Sequence, residues 1–310
     1  MPEIDPETKT PGSPVPHAAN ARGRGLAQRA AIVCWTHRWV ATDAMVIGRV
    51  LGISMKAAAH KLVRMHKAGL LQPVDHPGAG IRLWMLSRRG ADLAMDYAGG
   101  SAPLPWLDAE ELHTWHEPSR RGSVRLLHDL VVQHAVIMRA RALQSSGATI
   151  RSIHSDRDIR AENSGYDQIL VGDLIPDGLI KYTEKNGDDL SEIIEVQLSW
   201  DKPDQRNRRL FWLDRTLTDE SNNIRRADIW LAGHAMRNSY RNEMARASAW
   251  KGEAVQQVDR FGRTSVKLLW ARQTERFGGK TQPLRHHIKG DIELHVMPDD
   301  LRARYLGHRA

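Results

Sequence analysis

The stretch LGISMKAAAHKLVRMHKAGLLQPV, residues Leu51–Val74, decides the fold of the N-terminal part of the chain. Ser54 is a preferred N-cap and Gly69 a preferred helix stop, so the pattern predicts a helix over Met55–Ala68. Apolar residues recur within it at the spacing i, i+4, i+7, which gives the helix one buried stripe. These residues are Ala58, Leu62 and Met65.

The cationic side chains of this predicted helix fall largely outside the buried stripe. A DNA major groove admits one helix, and a few side chains near its N-terminal half read the base edges. The helix therefore suits contact with double-stranded DNA. The candidate contact residues are Lys56, His60, Lys61 and Arg64.

The flanking segments predict further helices and a β-hairpin. Two short β runs on either side of the turn HPGAG, residues 76–80, indicate the hairpin. The predicted elements are, in order, helices over Leu26–Trp35 and Asp43–Leu51 (capped by Thr42), the helix above, strands over Leu70–Val74 and Ile81–Leu86, and a helix from Ser87 through Tyr97.

Residues 26–98 resemble the winged helix-turn-helix domains of bacterial regulators in spacing, helix caps and hairpin. The resemblance implies a domain that docks its third helix on duplex DNA, with Arg82 and Arg88 on phosphates beside the wing. Use of the same fold for protein contacts or dimerisation stays open as the alternative.

Composition sets the wider limits. The chain has 310 residues, a formal net charge of +8 and a pI near 9.8, which favours polyanionic partners. Its single cysteine, Cys34, excludes an internal disulfide, and no apolar run approaches the roughly 20 residues needed to cross a bilayer. We expect no membrane association and a cytoplasmic location.

Residues 1–25 read as a disordered arm and residues 99–122 as a linker, because both are rich in proline or glycine and polar residues.

Residues 123–310 predict a second domain of mixed helices and strands, so the fold class expected for the whole chain is α+β. The expected helices are Ser123–Gln144, Asp204–Leu217 and Asn238–Ser248. The expected strands are Thr149–His154, Asp158–Ala161, Leu174–Ile175 with Gly178–Tyr182, Ile193–Leu198, Ala227–Ala232 and Val266–Trp270. Residues 273–310 read as a mixed polar tail ending in a short helix.

An acidic motif stands at the ends of two of these strands. Asp177 lies between two β runs and Glu195 lies 18 residues later, which suits adjacent strands joined by a polar turn. Glu195 and Gln197 are two residues apart and share one face of a strand. Such an acid pair with one polar neighbour is suited to Mg²⁺ and phosphodiester cleavage.

This motif resembles the PD-(D/E)xK nuclease-like superfamily. The resemblance implies Asp177 and Glu195 as catalytic metal ligands, with Gln197 where the superfamily usually has a lysine. A third acid often completes such sites, and the competing candidates are Asp129, Asp156 and Glu162; Asp156 joins our candidate catalytic set. His128 either points to the same cleft or is a satisfied, half-buried histidine, and the second interpretation is favoured.

The whole arrangement also resembles the replication-relaxation family of plasmids and other mobile elements. The matching segments are the winged helix, LLHDLVVQHAV (126–136), SDRDIRAE (155–162), IPDGLI (175–180) and IIEVQLS (193–199). The resemblance implies action on DNA in plasmid replication or relaxation, with a relaxase or replication protein as partner. A non-catalytic origin-binding factor and a transcriptional regulator are the alternatives, and a homodimer stays open.

Basic residues of the predicted helix after Pro203 give one more candidate surface. Arg206 and Arg209 are expected to grip the DNA backbone, or to lie on a solvated face over an aromatic pair.

Overall fold

The computed structural model describes residues 21–76, 81–98, 123–161, 175–218, 223–246, 250–258, 264–272, 275–277, 280–282 and 291–307. The chain divides into two compact units, Met1–Arg121 and Gly122–Ala310, and each is described by itself. Both helices and mixed β-sheet are present, so the expected α+β class is confirmed. None of the described helices is long and apolar enough to span a membrane.

The first unit contains four helices and a small antiparallel sheet within its described residues. The sheet order is β1-β3-β2, and the last two strands pair from Leu71 opposite Leu86 to His76 opposite Ile81. The elements are α1 (Ala21–Trp39), β1 (Ala41–Thr42), α2 (Ala44–Leu51), α3 (Met55–Lys67), β2 (Leu71–His76), β3 (Ile81–Leu86) and α4 (Arg88–Ala98).

Local capping explains the bounds of the second and third helices. Asp43, rather than the predicted Thr42, caps α2 by accepting a hydrogen bond from Val46 N at 2.8 Å. Gly52 ends α2 in the left-handed region with a φ of 65°. Ser54 caps α3 as predicted, because its side chain accepts a hydrogen bond from Ala57 N.

Packing in the first unit confirms the predicted stripe of α3 and corrects the start of α1. Ala58, Leu62 and Met65 are all buried. The helix α1 begins at Ala21, five residues before the predicted start, so the expected disordered arm does not extend to residue 25. Residues 1–20 and the predicted linker 99–122 lie outside the described residues.

The second unit is built on a five-stranded mixed sheet. Two two-stranded antiparallel ribbons are also present in its described part. The elements are α5 (Ser123–Ser146), β4 (Thr149–Ser155), α6 (Asp156–Ala161), β5 (Gly178–Thr183), β6 (Asp189–Gln197), α7 (Pro203–Thr218), β7 (Ile224–Leu231), α8 (His234–Arg246), β8 (Trp250–Val258), β9 (Thr264–Arg272), β10 (Glu275–Phe277), β11 (Lys280–Gln282), β12 (Asp291–Val296) and α9 (Asp299–Tyr305).

The main sheet has the strand order β12-β7-β6-β5-β4. The strands β4, β5 and β6 form an antiparallel meander, and α7 then carries the chain across to β7, which is parallel to β6. A core of buried apolar residues from α7, α8 and the sheet, including Leu213, Tyr240, Ile229 and Leu294, fixes this arrangement.

Three predictions for this unit differ from the structure. Ile175, expected in a strand with Leu174, precedes β5 and belongs to no strand, and Leu174 lies outside the described residues. Residues Asp158–Ala161, expected as a strand, belong to α6, because Ser155 and Asp158 hydrogen-bond one another and start a helix there. The expected polar tail contains β12, whose Ile292 and Leu294 are buried beside β7. The short helix predicted at the end is present as α9.

Candidate functional site

The register of β5 and β6 brings the two predicted acids together. Gly178 pairs with Ile194, so Asp177 lies beside Glu195 at the ends of neighbouring strands. The Oδ2 atom of Asp177 accepts a hydrogen bond from the backbone N–H of Val196 at 2.9 Å. The adjacency expected from the sequence spacing is therefore confirmed.

His128, on α5, completes one side of this site. Its Nε2 atom lies 3.3 Å from Asp177 Oδ2 and 3.0 Å from the carbonyl oxygen of Val196. Burial on its own would lower the pKa of His128, but the neighbouring carboxylates of Asp129 and Asp177 outweigh it and raise the pKa to about 10. His128 is thus an imidazolium at neutral pH, in contact with the acid pair.

Glu195 faces a second internal cation. Arg209, on α7, places Nε 3.4 Å from Glu195 Oε2. Burial and the negative charge of Asp177 raise the pKa of Glu195 to about 8, although the charge of Arg209 opposes the shift. Burial would raise the pKa of Asp177 too, but the hydrogen bond and charge of His128 hold it below its usual value.

Gln197 lies on the same face as Glu195, as expected, but its amide is fully engaged. Its Nε2 donates to Ser199 O and to Asp201 Oδ1, both at 2.7 Å, and its Oε1 accepts from Arg209. Tyr240 donates to the other carboxylate oxygen of Asp201 at 2.9 Å. Gln197 therefore anchors the loop after β6 and has no free group to orient a water molecule.

Asp156 does not complete the acid pair. Its Oδ2 accepts from Arg125 Nη2 at 2.7 Å, and the same guanidinium reaches Asp129 at 3.0 Å. Two of the three acids expected as a third ligand are thus bound to one arginine beside the site. The remaining one, Glu162, lies outside the described residues.

These residues do not fit a Mg²⁺ ion. Both carboxylates are paired with internal cations, whereas Mg²⁺ needs open ligand oxygens about 2.0–2.1 Å away in near-octahedral geometry. Among the described residues, the histidine and carboxylate group whose ligand atoms all lie within 4.8 Å of one another includes neither Asp177 nor Glu195. The expected magnesium site is therefore not formed by this arrangement.

That other group consists of Asp228, Glu293 and His295, on β7 and β12. Arg226 fills it, since its Nε donates to Asp228 Oδ1 at 2.6 Å and its Nη2 pairs with Glu293. His295 Nε2 lies 3.3 Å from Asp228 Oδ2. This group too is neutralised by side chains of the chain itself.

Sequence analysis did not identify this second group or Arg125 beside the first, and for His128 it favoured a satisfied, half-buried histidine over the contact with Asp177 that the structure shows. One signal was available: Glu192 and Asp228 each stand next to apolar residues of a strand, and buried carboxylates require partners. Arg139 on α5 supplies one, with its Nη2 2.7 Å from Glu192 Oε1.

The predicted DNA-binding side chains of α3 lie where they were expected. Lys56, His60 and Arg64 are exposed, and Lys61 is half-buried beside Arg64. Burial and the charge of Arg64 lower the pKa of Lys61. Arg82 is exposed on β3, and the exposed Arg88 forms an ion pair with Asp92 at 3.2 Å.

A pocket of about 700 Å³ lies between α1 and the C-terminal half of α3. Its apolar lining includes Leu26, Ile32 and Met65, and no acidic side chain is among its lining residues. Within the described part of the chain, none of the five cations around it forms an ion pair. We call these five the cationic groove: Arg22, Arg24, Arg29, Lys61 and Arg64.

Arg206 and Arg209, the two cations of α7 expected on DNA, both make contacts within the second unit. Arg206 is buried, with its guanidinium 5.7 Å from the centroid of the Tyr240 ring. Arg209 faces inward to Glu195 and Asp201. Both were expected to contact phosphates, and their burial in the unit replaces that expectation with a structural role.

Comparison with known proteins adds no relative: no family model, curated protein or solved structure matches the chain.

Proposed function

We propose that this protein binds double-stranded DNA through a winged helix-turn-helix and acts as a non-catalytic accessory factor. The observation that carries the proposal is the cationic surface of α3 and α1. The cationic groove and the outward-facing Lys56 and His60 gather positive charge around one helix, without an acid in the pocket lining. Such a surface suits the phosphate backbone on either side of a major groove.

The order of elements supports a winged helix. The helices α2 and α3 are joined by a short turn at Gly52–Ser54, and the hairpin β2–β3 follows α3 directly. The strand β1 pairs with β3 and closes a three-stranded sheet. In this fold the third helix enters the major groove and the hairpin serves as the wing.

The order of elements in the second unit supports a nuclease-like fold, but the contacts of Asp177 and Glu195 do not support metal-dependent cleavage. A helix, an antiparallel meander, a crossover helix and a parallel strand (α5, β4–β6, α7, β7) follow the order of the PD-(D/E)xK core. Action in plasmid replication or relaxation, with a relaxase or replication protein as partner, rests on the family resemblance of the sequence.

A Mg²⁺-dependent DNA endonuclease is the second candidate, and the juxtaposition of Asp177 and Glu195 favours it. Incubation with supercoiled plasmid and Mg²⁺ or Mn²⁺, beside Glu195→Ala, separates the two candidates. We expect bound but intact plasmid with both proteins. Nicked or linear product that disappears in the variant would establish the endonuclease instead.

The DNA-binding proposal is tested by a salt titration of duplex DNA affinity. Lys61→Ala with Arg64→Ala should weaken binding and reduce the slope of log K against log salt by about 1–2, since each lost phosphate contact removes roughly 0.9. Lys185→Ala with Arg241→Ala is the matched control, because it removes the same charges from exposed positions of the second unit. An unchanged slope in the α3 variant would remove this helix from the interface.

A further inference from the structure

The imidazole of His128 contacts the two oxygens that a metal ion shared by Asp177 and Val196 would bind. Its Nε2 contacts both Asp177 Oδ2 and the carbonyl oxygen of Val196, at 3.3 and 3.0 Å. Because a carbonyl oxygen can only accept a hydrogen bond, the ring N–H occupies lone pairs that a metal ion bound to these two oxygens would need. A metal ion would therefore have to displace the ring from them.

The ring is held in this position by its surroundings. His128 is carried on α5, whose next residue, Asp129, places Oδ1 3.6 Å from the Nδ1 atom of the ring. Asp129 is in turn held by Arg125. The side chain of His128 is only 17% exposed, so a swing of the ring into solvent would break several contacts at once.

A second cation closes the opposite side of the acid pair. Arg209 contacts Glu195, and its guanidinium is fixed by Gln197, Asp201 and Tyr240. Gln197, which stands where the nuclease-like superfamily usually has a lysine, thus holds Arg209 in place beside Glu195. His128 and Arg209 thus flank the acid pair, one beside each carboxyl group.

We propose that His128 and Arg209 are built-in replacements for the divalent cation, so that Asp177 and Glu195 form a metal-free structural ion cluster. His128 is the side chain that excludes the metal, and Arg209 covers the Glu195 side of the pair. The inference deepens the proposed non-catalytic role, because it names the groups that keep this nuclease-like site closed. It also makes a positive claim: removal of the ring opens a metal site.

The test is Mn²⁺ binding, followed by electron paramagnetic resonance as the loss of free Mn²⁺ signal. The full-length wild-type protein should show no saturable site, and His128→Ala should bind one equivalent of Mn²⁺. His128→Ala with Asp177→Asn should lose that binding, which would assign the ion to the carboxylate that the ring contacts. His295→Ala is the matched control and should bind no Mn²⁺, because Arg226 still occupies the neighbouring acidic group.

Two results would overturn the proposal. Saturable Mn²⁺ binding by the wild type that Asp177→Asn abolishes would show an open metal site. Absence of binding in a folded His128→Ala would show that the ring is not what excludes the metal. His128→Gln, which shortens the reach toward Val196 but keeps a polar side chain, replaces His128→Ala if circular dichroism shows that the alanine variant is unfolded.

These outcomes are independent of DNA binding. The salt titration described above tests the first unit, whereas Mn²⁺ binding tests only the second. A protein that fails to bind DNA but gains a metal site in His128→Ala would refute the proposed function and leave this inference standing.

Discussion

At the scale of single residues, burial decides what each charged side chain does. Sequence spacing predicted that Asp177, Glu195 and Gln197 lie together, and they do. It offered His128 in the same cleft only as the less favoured alternative and expected Arg209 on DNA, because both reach the site from helices elsewhere in the chain. The cost of burying an unpaired charge explains why such partners are present at all.

The raised pKa of Glu195 predicts a pH-dependent stability. Between its ordinary pKa near 4.5 and about 8, the unfolded chain has released a proton that the folded protein retains. The folded state binds more protons in this window, so the free energy of unfolding contributed by Glu195 falls as pH rises through it. The neighbouring Asp177, His128 and Arg209 keep their charges over this pH range, so the change with pH comes from Glu195.

Glu195→Gln should remove this contribution. In denaturant titrations, the stability difference between variant and wild type should shift in favour of the variant from pH 5 to pH 8. The comparison cancels the titration of groups outside the site. A pH-independent difference would mean that Glu195 is ionised in the folded protein throughout this range.

At the scale of elements, one close contact holds α4 against the segment that leaves α3. A Cβ atom on Gly90 would overlap the carbonyl oxygen of Leu70, which is backbone and has little freedom to shift. Leu70 O also accepts a hydrogen bond from Ser87 N at 3.0 Å, so it is held in place. The glycine is therefore required by packing rather than by its backbone angles.

Gly90→Ala should lower the free energy of unfolding of the first unit by about 1–3 kcal/mol, the usual cost of overpacking. Gly25→Ala on α1 is the matched control, because nothing lies within 4 Å of the added atom there. That control should leave stability unchanged or raise it by up to about 1 kcal/mol through helix propensity. Equal effects in chemical denaturation would contradict the assigned contact.

At the scale of the whole molecule, the last strand of the main sheet comes from the end of the described chain. The strand β12 pairs in parallel with β7, and Leu294 enters the core between them and α8. Beyond it, Tyr305 on α9 lies with its hydroxyl 2.7 Å from His134 Nε2 on α5. The C-terminal segment thus closes one edge of the sheet.

Deletion of residues 291–310 should unfold the second unit and leave the first intact. Hydrogen exchange should show lost protection across β6 and β7 and unchanged protection across α3, because β12 belongs to the second unit alone. Deletion of residues 308–310 is the control. Retained protection in β7 of the longer deletion would show that β12 is dispensable to the sheet.

The sequence by itself determined the features that depend on near neighbours. Helix caps at Ser54 and Gly52, the buried stripe of α3 and the paired strands carrying Asp177 and Glu195 all follow from local patterns. Only the tertiary structure decided the sheet order, the inclusion of β12 and the cations that close the acid pair. Those depend on contacts across large sequence separations, which residue periodicity does not encode: His128 meets Val196 from 68 residues away.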